Sequence, residues 1–265
     1  MPEVITTAPY KKISPKYMLL LIIFVFTLAF IYYSIALVFN PNPMSLFDYV
    51  VFTCVLAIIL TGAYQLFFWV QNNNYFFKTR CLATKLDELI PFWPIWVWPY
   101  TFLYYIMIGM VVIEIHSIQE GVYIVFGGLL LLLVQCSCFL IIPCKVPDHF
   151  KEYEVKGLSR RYLNFIQKVD NGRNCFPSMH NSVATFVGLL LMSSIGMWSY
   201  VFIATIAIAT LFVKQHTIAD GVSGIILGWG IYNFLEFDLG EVLYVKRFNE
   251  KFDFIDFIFI TSNSC

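Results

Sequence analysis

The sequence predicts an all-α fold, a polytopic integral membrane bundle of six or seven transmembrane helices. Three observations carry that prediction. The chain is 59% hydrophobic and only 13% charged, whereas a soluble domain is roughly 45–50% apolar and about 25% charged. Its apolar residues fall into uncharged runs near the ~20 residues that cross a hydrocarbon layer as a helix. Its 27 Phe and 16 Tyr suit lipid contact and interfacial belts. The formal net charge is zero, which gives no footing for a nucleic-acid partner.

Residues 1–16 form a polar N-terminal segment. The run 17–39 is too long for the apolar core of a cleaved signal and reads as a retained first span. Asn40-Pro41-Asn42-Pro43 is a turn after it. The second, third and fourth spans are expected at 49–70, 91–113 and 122–142. A hairpin follows, with arms at 182–195 and 199–213 and its tip between Gly196 and Ser199. Each arm is a little short for a full bilayer. The last span runs over 218–234, so one transmembrane domain covers 17–235. The tail, 236–265, alternates aromatics with charges, as in Phe252-Asp253-Phe254-Ile255-Asp256-Phe257. It reads either as an interfacial amphipathic segment or as a tail without fixed structure.

The longest polar segment, 144–175, carries Lys145, Lys151, Lys156, Arg160, Arg161, Lys168 and Arg173 against Asp148, Glu152, Glu154 and Asp170. It reads both as a cytoplasmic loop following the positive-inside bias and as a cap over an anionic substrate. With seven spans, Lys11, Lys12, Lys16, Lys78, Arg80 and Lys85 share its side, while the 40–48 and 114–121 loops carry no Lys or Arg. That arrangement makes this side cytoplasmic. Six spans would reverse it, and the tail residues Lys246, Arg247 and Lys251 sit on the poorer side of the seven-span arrangement. The seven cysteines are odd in number and form no Cys-x-x-Cys pair. They are expected as free thiols, not as a disulfide framework or zinc site.

Two short stretches carry chemistry. Phe176-Pro177-Ser178-Met179-His180 and Lys214-Gln215-His216-Thr217-Ile218-Ala219-Asp220 flank residues 181–213, which hold no charge at all. A hairpin of that length returns the chain to its starting face and brings His180 and His216 together. Asp220 lies four residues after His216, the spacing of neighbours on a helix face. A carboxylate on one ring nitrogen fixes the tautomer and leaves the other nitrogen free to attack. An acid inside an apolar helix is itself a functional signal. His180 opens a helix behind Ser178, where free N–H groups favour a phosphate, and it is placed to protonate a leaving oxygen. Ser178 reads equally well as a helix cap. Lys214 and Arg173 are the cations nearest the histidines in sequence, with Lys145 at the end of the fourth span. Each reads either as a phosphate ligand or as a snorkelling interfacial side chain. The set asks for phosphoryl transfer, which needs an in-line nucleophile, an acid for the leaving group and fixed positive charge.

These stretches resemble the second and third signature motifs of the type 2 phosphatidic acid phosphatase (PAP2) superfamily. The Lys-Gln-His form, together with Asp87-Glu88-Leu89-Ile90-Pro91-Phe92 and Tyr100, resembles the branch that includes inositol phosphorylceramide synthases and related bacterial membrane proteins. The resemblance covers roughly 85–232. It implies His216 as nucleophile, Asp220 as its orienting partner, His180 as general acid, and Ser178 and Lys214 as phosphate holders. It implies no metal and no other cofactor, and the chain offers no carboxylate cluster suited to magnesium. The chain departs from the family pattern twice. The first motif is reduced to Lys145-Val146-Pro147, and Ala209-Thr210 stand where a Ser-Arg pair is usual. Arg173, Arg160 and Arg161 are the candidates to replace the missing arginines.

Three functions follow as expectations. The first is a lipid phosphate phosphatase working through a phosphohistidine on a phospholipid or other lipid phosphate in the membrane. The second is a lipid headgroup phosphotransferase with a lipid hydroxyl as acceptor, of the inositol phosphorylceramide or sphingomyelin synthase type. The third is a catalytically silent scaffold or transporter, motivated by the missing arginines.

Overall fold

The computed structural model describes residues 15–170 and 172–239. The polar segment up to residue 14, and the tail from residue 240 with Lys246, Arg247, Lys251 and Cys265, lie outside the described residues. Among the described residues the structure is helical, with no strand beyond isolated bridges that pair Arg80 with Cys144 and Cys144 with Asn174. The helices are α1 (Pro15–Phe39), α2 (Leu46–Asn73), α3 (Lys85–Leu89), α4 (Tyr104–Glu114), α5 (Ile118–Ile141), α6 (Leu158–Val169), α7 (Met179–Leu190), α8 (Met192–Ile195), α9 (Trp198–Phe212) and α10 (Ile218–Leu239). Five stretches are long and apolar enough to cross a membrane: Leu19–Phe39, Leu46–Asn73, Pro94–Glu114, Ile118–Ile141 and Ile218–Glu236. The hairpin of α7–α8 and α9 is shorter, with Trp198–Phe212 as its apolar helix. The protein is a multi-pass membrane protein.

Helix starts follow the sequence. Ser45, Ser117 and Ser178 each accept a bond from the N–H three residues on, and Asp48 and Glu120 place a carboxylate there. The third pass is not one continuous helix. Pro94 and Pro99 break it into a 3₁₀ turn, Pro94–Trp96, and a π turn, Pro99–Leu103, ahead of α4. Such π turns recur where a helix re-aims a side chain for function, and this one carries Tyr100.

Cross-links between connections fix the two ends of the bundle. At one end Asn40 Nδ2 donates to the Ile113 carbonyl at 2.9 Å. At the other, Trp93 N–H donates to the Phe212 carbonyl, Arg80 N–H to that of Pro143, and Ser178 N–H to that of Asp220. Both histidine motifs therefore share an end with residues 74–93 and with the polar segment 144–175. Within that segment α6 buries Leu163, while Tyr162 stacks on Trp98 with ring centroids 5.2 Å apart.

Helices α7 and α10 form the central pair, and glycines let them touch. A Cβ on Gly224 would lie 2.5 Å from the Ser178 carbonyl oxygen, and one on Gly228 only 2.2 Å from that of Ser182. Gly224 and Gly228 stand four apart, the small-residue spacing by which membrane helices bring their backbones close. Packing in lipid rests on such fits, because hydrocarbon gives apolar faces little reason to leave it. This contact holds His180, at the start of α7, against the start of α10.

Candidate active site

The turn between α9 and α10 carries the second motif. Lys214 ends α9 in the left-handed conformation, φ 57°, a place more often taken by glycine. Its side chain is held on both sides: Nζ donates to the Asp87 carbonyl at 2.6 Å and lies 4.3 Å from the centre of the Phe150 ring. Gln215 N–H and His216 N–H both donate to the Thr210 carbonyl, closing the turn. Two carboxylates then cap α10. Asp220 Oδ2 accepts from Thr217 N–H at 2.8 Å, and Asp87 Oδ1 accepts from Ile218 N–H at 2.7 Å. The other oxygen of Asp87 accepts from the N–H and hydroxyl of Thr84. Burial pushes the Asp87 carboxyl up, but the bonds from Ile218 and Thr84 outweigh it and hold the acid below its ordinary value. Burial pulls the Lys214 ammonium down, against the pull of Glu88 and Asp87.

His216 projects from this turn and is 7% exposed. Burial lowers it to about 4, so the ring is neutral at pH 7 and its lone pair is available. Its Nδ1 lies 3.9 Å from Asp220 Oδ2, close but beyond a hydrogen bond. The sequence places the two on one helix face with a bond between them. In the structure α10 begins only at Ile218, and Asp220 spends its Oδ2 on the helix cap. His216 Nδ1 and Asp220 Oδ1 are both buried without a hydrogen-bond partner, as are Asn181 Oδ1 and Gln215 Nε2 beside them.

His180 faces His216, with ring centroids 6.1 Å apart. Tyr100 stacks on the His180 ring at 4.2 Å, and its hydroxyl is 3.2 Å from His180 Nδ1. Tyr104 packs at 5.0 Å on the same ring. Neither tyrosine has a role that the motifs alone reveal. The prolines that interrupt the third pass are the sequence signal that could have pointed to them.

The structure thus brings His180, His216 and Asp220 together, with Lys214 two residues away in the same turn. Ser178 is the N-cap of α7, its hydroxyl accepting from Asn181 N–H at 3.3 Å. Lys145 is paired with Asp148 at 2.8 Å and is half exposed. The Arg173 guanidinium lies 4.8 Å over the Tyr75 ring, and Arg160 donates to the Glu154 carbonyl. Among the described residues no group of three or more His, Cys, Asp or Glu side chains comes together to hold a metal ion. The six described cysteines are free thiols.

Fold and site define a membrane-embedded helical protein with a paired-histidine centre. The chain belongs to the PAP2 superfamily, whose family model matches residues 82–234. That span begins at the segment before the third pass and ends in α10, so it contains every site residue named above. Membership supports an activity of the phosphatase or phosphotransferase type. No curated protein and no solved structure gives a significant match.

Proposed function

We propose that the protein is a metal-independent lipid phosphate phosphatase that works through a phosphohistidine at His216. Neutral His216 attacks phosphorus through Nε2, the nitrogen turned away from Asp220. The bond from phosphorus to the ester oxygen breaks, and a proton from His180 Nε2 goes to that oxygen. Water, deprotonated by His180, then takes the phosphoryl group from His216 as inorganic phosphate. A separation of 6.1 Å between the two rings suits one phosphoryl group held between two nitrogens. The first-turn N–H groups of α7 at Met179 and His180, the Lys214 ammonium and Arg173 face the negative charge, and Ser178 acts by capping that helix start.

The observation that carries this reading is the group of four unpartnered buried atoms, on Asn181, Gln215, His216 and Asp220. Buried polar atoms are nearly always satisfied, and these four all belong to the two histidine-bearing segments. The same atoms weigh against a silent scaffold. The burial of His216 favours one second reading, in which the histidine carries a phosphoalcohol headgroup and a lipid hydroxyl takes it in place of water.

A product assay on purified protein, with His216→Ala alongside, tests both. Phosphatidate, phosphatidylglycerol phosphate and phosphatidylinositol are offered with and without ceramide. Free phosphate lost in His216→Ala supports the phosphatase. A new phospholipid formed only with ceramide supports the transferase. Neither product from any substrate overturns both.

A further inference from the structure

Between α2, α4, α5 and α7 lies an apolar cavity of about 280 Å³. Its upper end reaches the catalytic pair: Met179, next to His180, and Tyr104, stacked against the His180 ring, both line it. Its wall follows α7 from Met179 to Leu190, a depth of about 16 Å at the helical rise of 1.5 Å per residue. One leaflet of a bilayer, half of a hydrocarbon core of about 30 Å, has the same depth. Polar groups on the wall are few and mostly paired: the Tyr64 and Tyr105 hydroxyls bond to each other at 2.8 Å, and Gln135 donates to Ser182. The rest of the wall is apolar apart from the Tyr104 hydroxyl at the histidine end. Phe52, Leu56, Leu60 and Ala63 make one side of the slot, and they belong to α2, which lies outside the family match at 82–234.

We propose that this slot binds one hydrocarbon chain of the substrate, with the phosphate of the same lipid between His180 and His216. Helix α2 walls one side of this partly open slot, which suits a chain about one leaflet long. The proposal rests on the lipid phosphate reading above and adds where the chain lies.

The test uses Gly128, on the α5 wall, where an added Cβ meets nothing within 4 Å. Gly128→Phe puts a ring at the slot wall from an unobstructed Cβ position, and Ala63→Phe fills the slot from α2. The probe is a phosphatidate with a photoreactive diazirine at the end of one chain, reconstituted with the full-length protein. Wild type is expected to be labelled at the deep end, on Phe52, Val112, Ile115 or Ile124. Gly128→Phe or Ala63→Phe should cut that label at least tenfold. The same variants should lower turnover of the long-chain lipid about tenfold relative to a water-soluble phosphate monoester. Labelling confined to lipid-facing residues such as Val201 and Trp229, or undiminished in both filled variants, overturns the slot. The label is read independently of chemistry, and His216→Ala should keep it while losing phosphate release. Deep labelling by a wild type that releases no phosphate leaves the slot standing and removes the phosphatase reading.

Discussion

The Tyr100 hydroxyl and His180 Nδ1 are 3.2 Å apart, with the two rings stacked at 4.2 Å. This contact holds the imidazole plane and occupies Nδ1, leaving Nε2 for the proton transfer proposed above. Tyr100→Phe keeps the stack and removes the bond, a difference of about 1 kcal/mol for a single hydrogen bond. The expected result is a fall in kcat of roughly tenfold with KM within about twofold. The pH–rate limb that belongs to His180 should also move. Steady-state kinetics across pH decide it, since loss of activity with an unmoved profile would mean a packing role only.

Asp220 caps α10 through Oδ2, the same oxygen that lies 3.9 Å from His216 Nδ1. Asp220→Asn leaves an acceptor for Thr217 N–H but removes the charge beside His216. It should therefore keep the unfolding temperature near wild type while lowering kcat by roughly a hundredfold, within the range for groups that assist proton transfer. Asp220→Ala should lose both the cap and the rate, the cap being worth about 1 kcal/mol. Thermal unfolding beside turnover separates the two effects.

The pH dependence follows from His216. Burial holds it at about 4 in the folded protein, below the ~6.5 of a free imidazole. The unfolded chain thus binds the extra proton between these values, and stability falls as pH drops from about 6.5 toward 4. The acid limb of kcat/KM due to His216 should accordingly lie near pH 4, well below that of an exposed histidine. Replacing His216 with Phe should flatten the stability loss in that window. An acid limb near 6.5 would mean that His216 is solvated.

Helix contact at Gly228 leaves no room for a side chain. Gly228→Val places a Cβ 2.2 Å from the Ser182 carbonyl oxygen and must push α7 and α10 apart. A loss of at least ~2 kcal/mol is expected, together with activity, because His180 opens α7 and His216 lies in the turn that leads into α10. Gly230→Ala, two residues away, meets nothing within 4 Å and should be neutral or stabilising by up to ~1 kcal/mol. Unfolding in detergent of the pair gives the contrast.

The passes and the three polar residues of the centre were legible because an apolar background makes every buried charge or imidazole conspicuous. His180, His216 and Asp220 stand out for that reason. Tyr100 and Asp87 did not reveal their roles: a tyrosine in an aromatic-rich span looks like any other, and the carboxylate of Asp87 acts through backbone N–H groups of residues far away in sequence. The pairing of His216 with Asp220 was legible as proximity but not as geometry, since the spacing alone cannot tell whether the helix starts before or after the histidine. The glycines at 224 and 228 were readable as a spacing, yet only their neighbours reveal which helix they meet.

The bond from Ile218 N–H to Asp87 spans 131 residues of chain. The Asp87 carboxylate and the Lys214 ammonium thus stitch the turn that bears His216 to a segment made before the third pass. During synthesis His216 acquires its setting only when the final helix arrives beside that earlier segment. Whatever chemistry the paired histidines perform is therefore a property of the completed bundle.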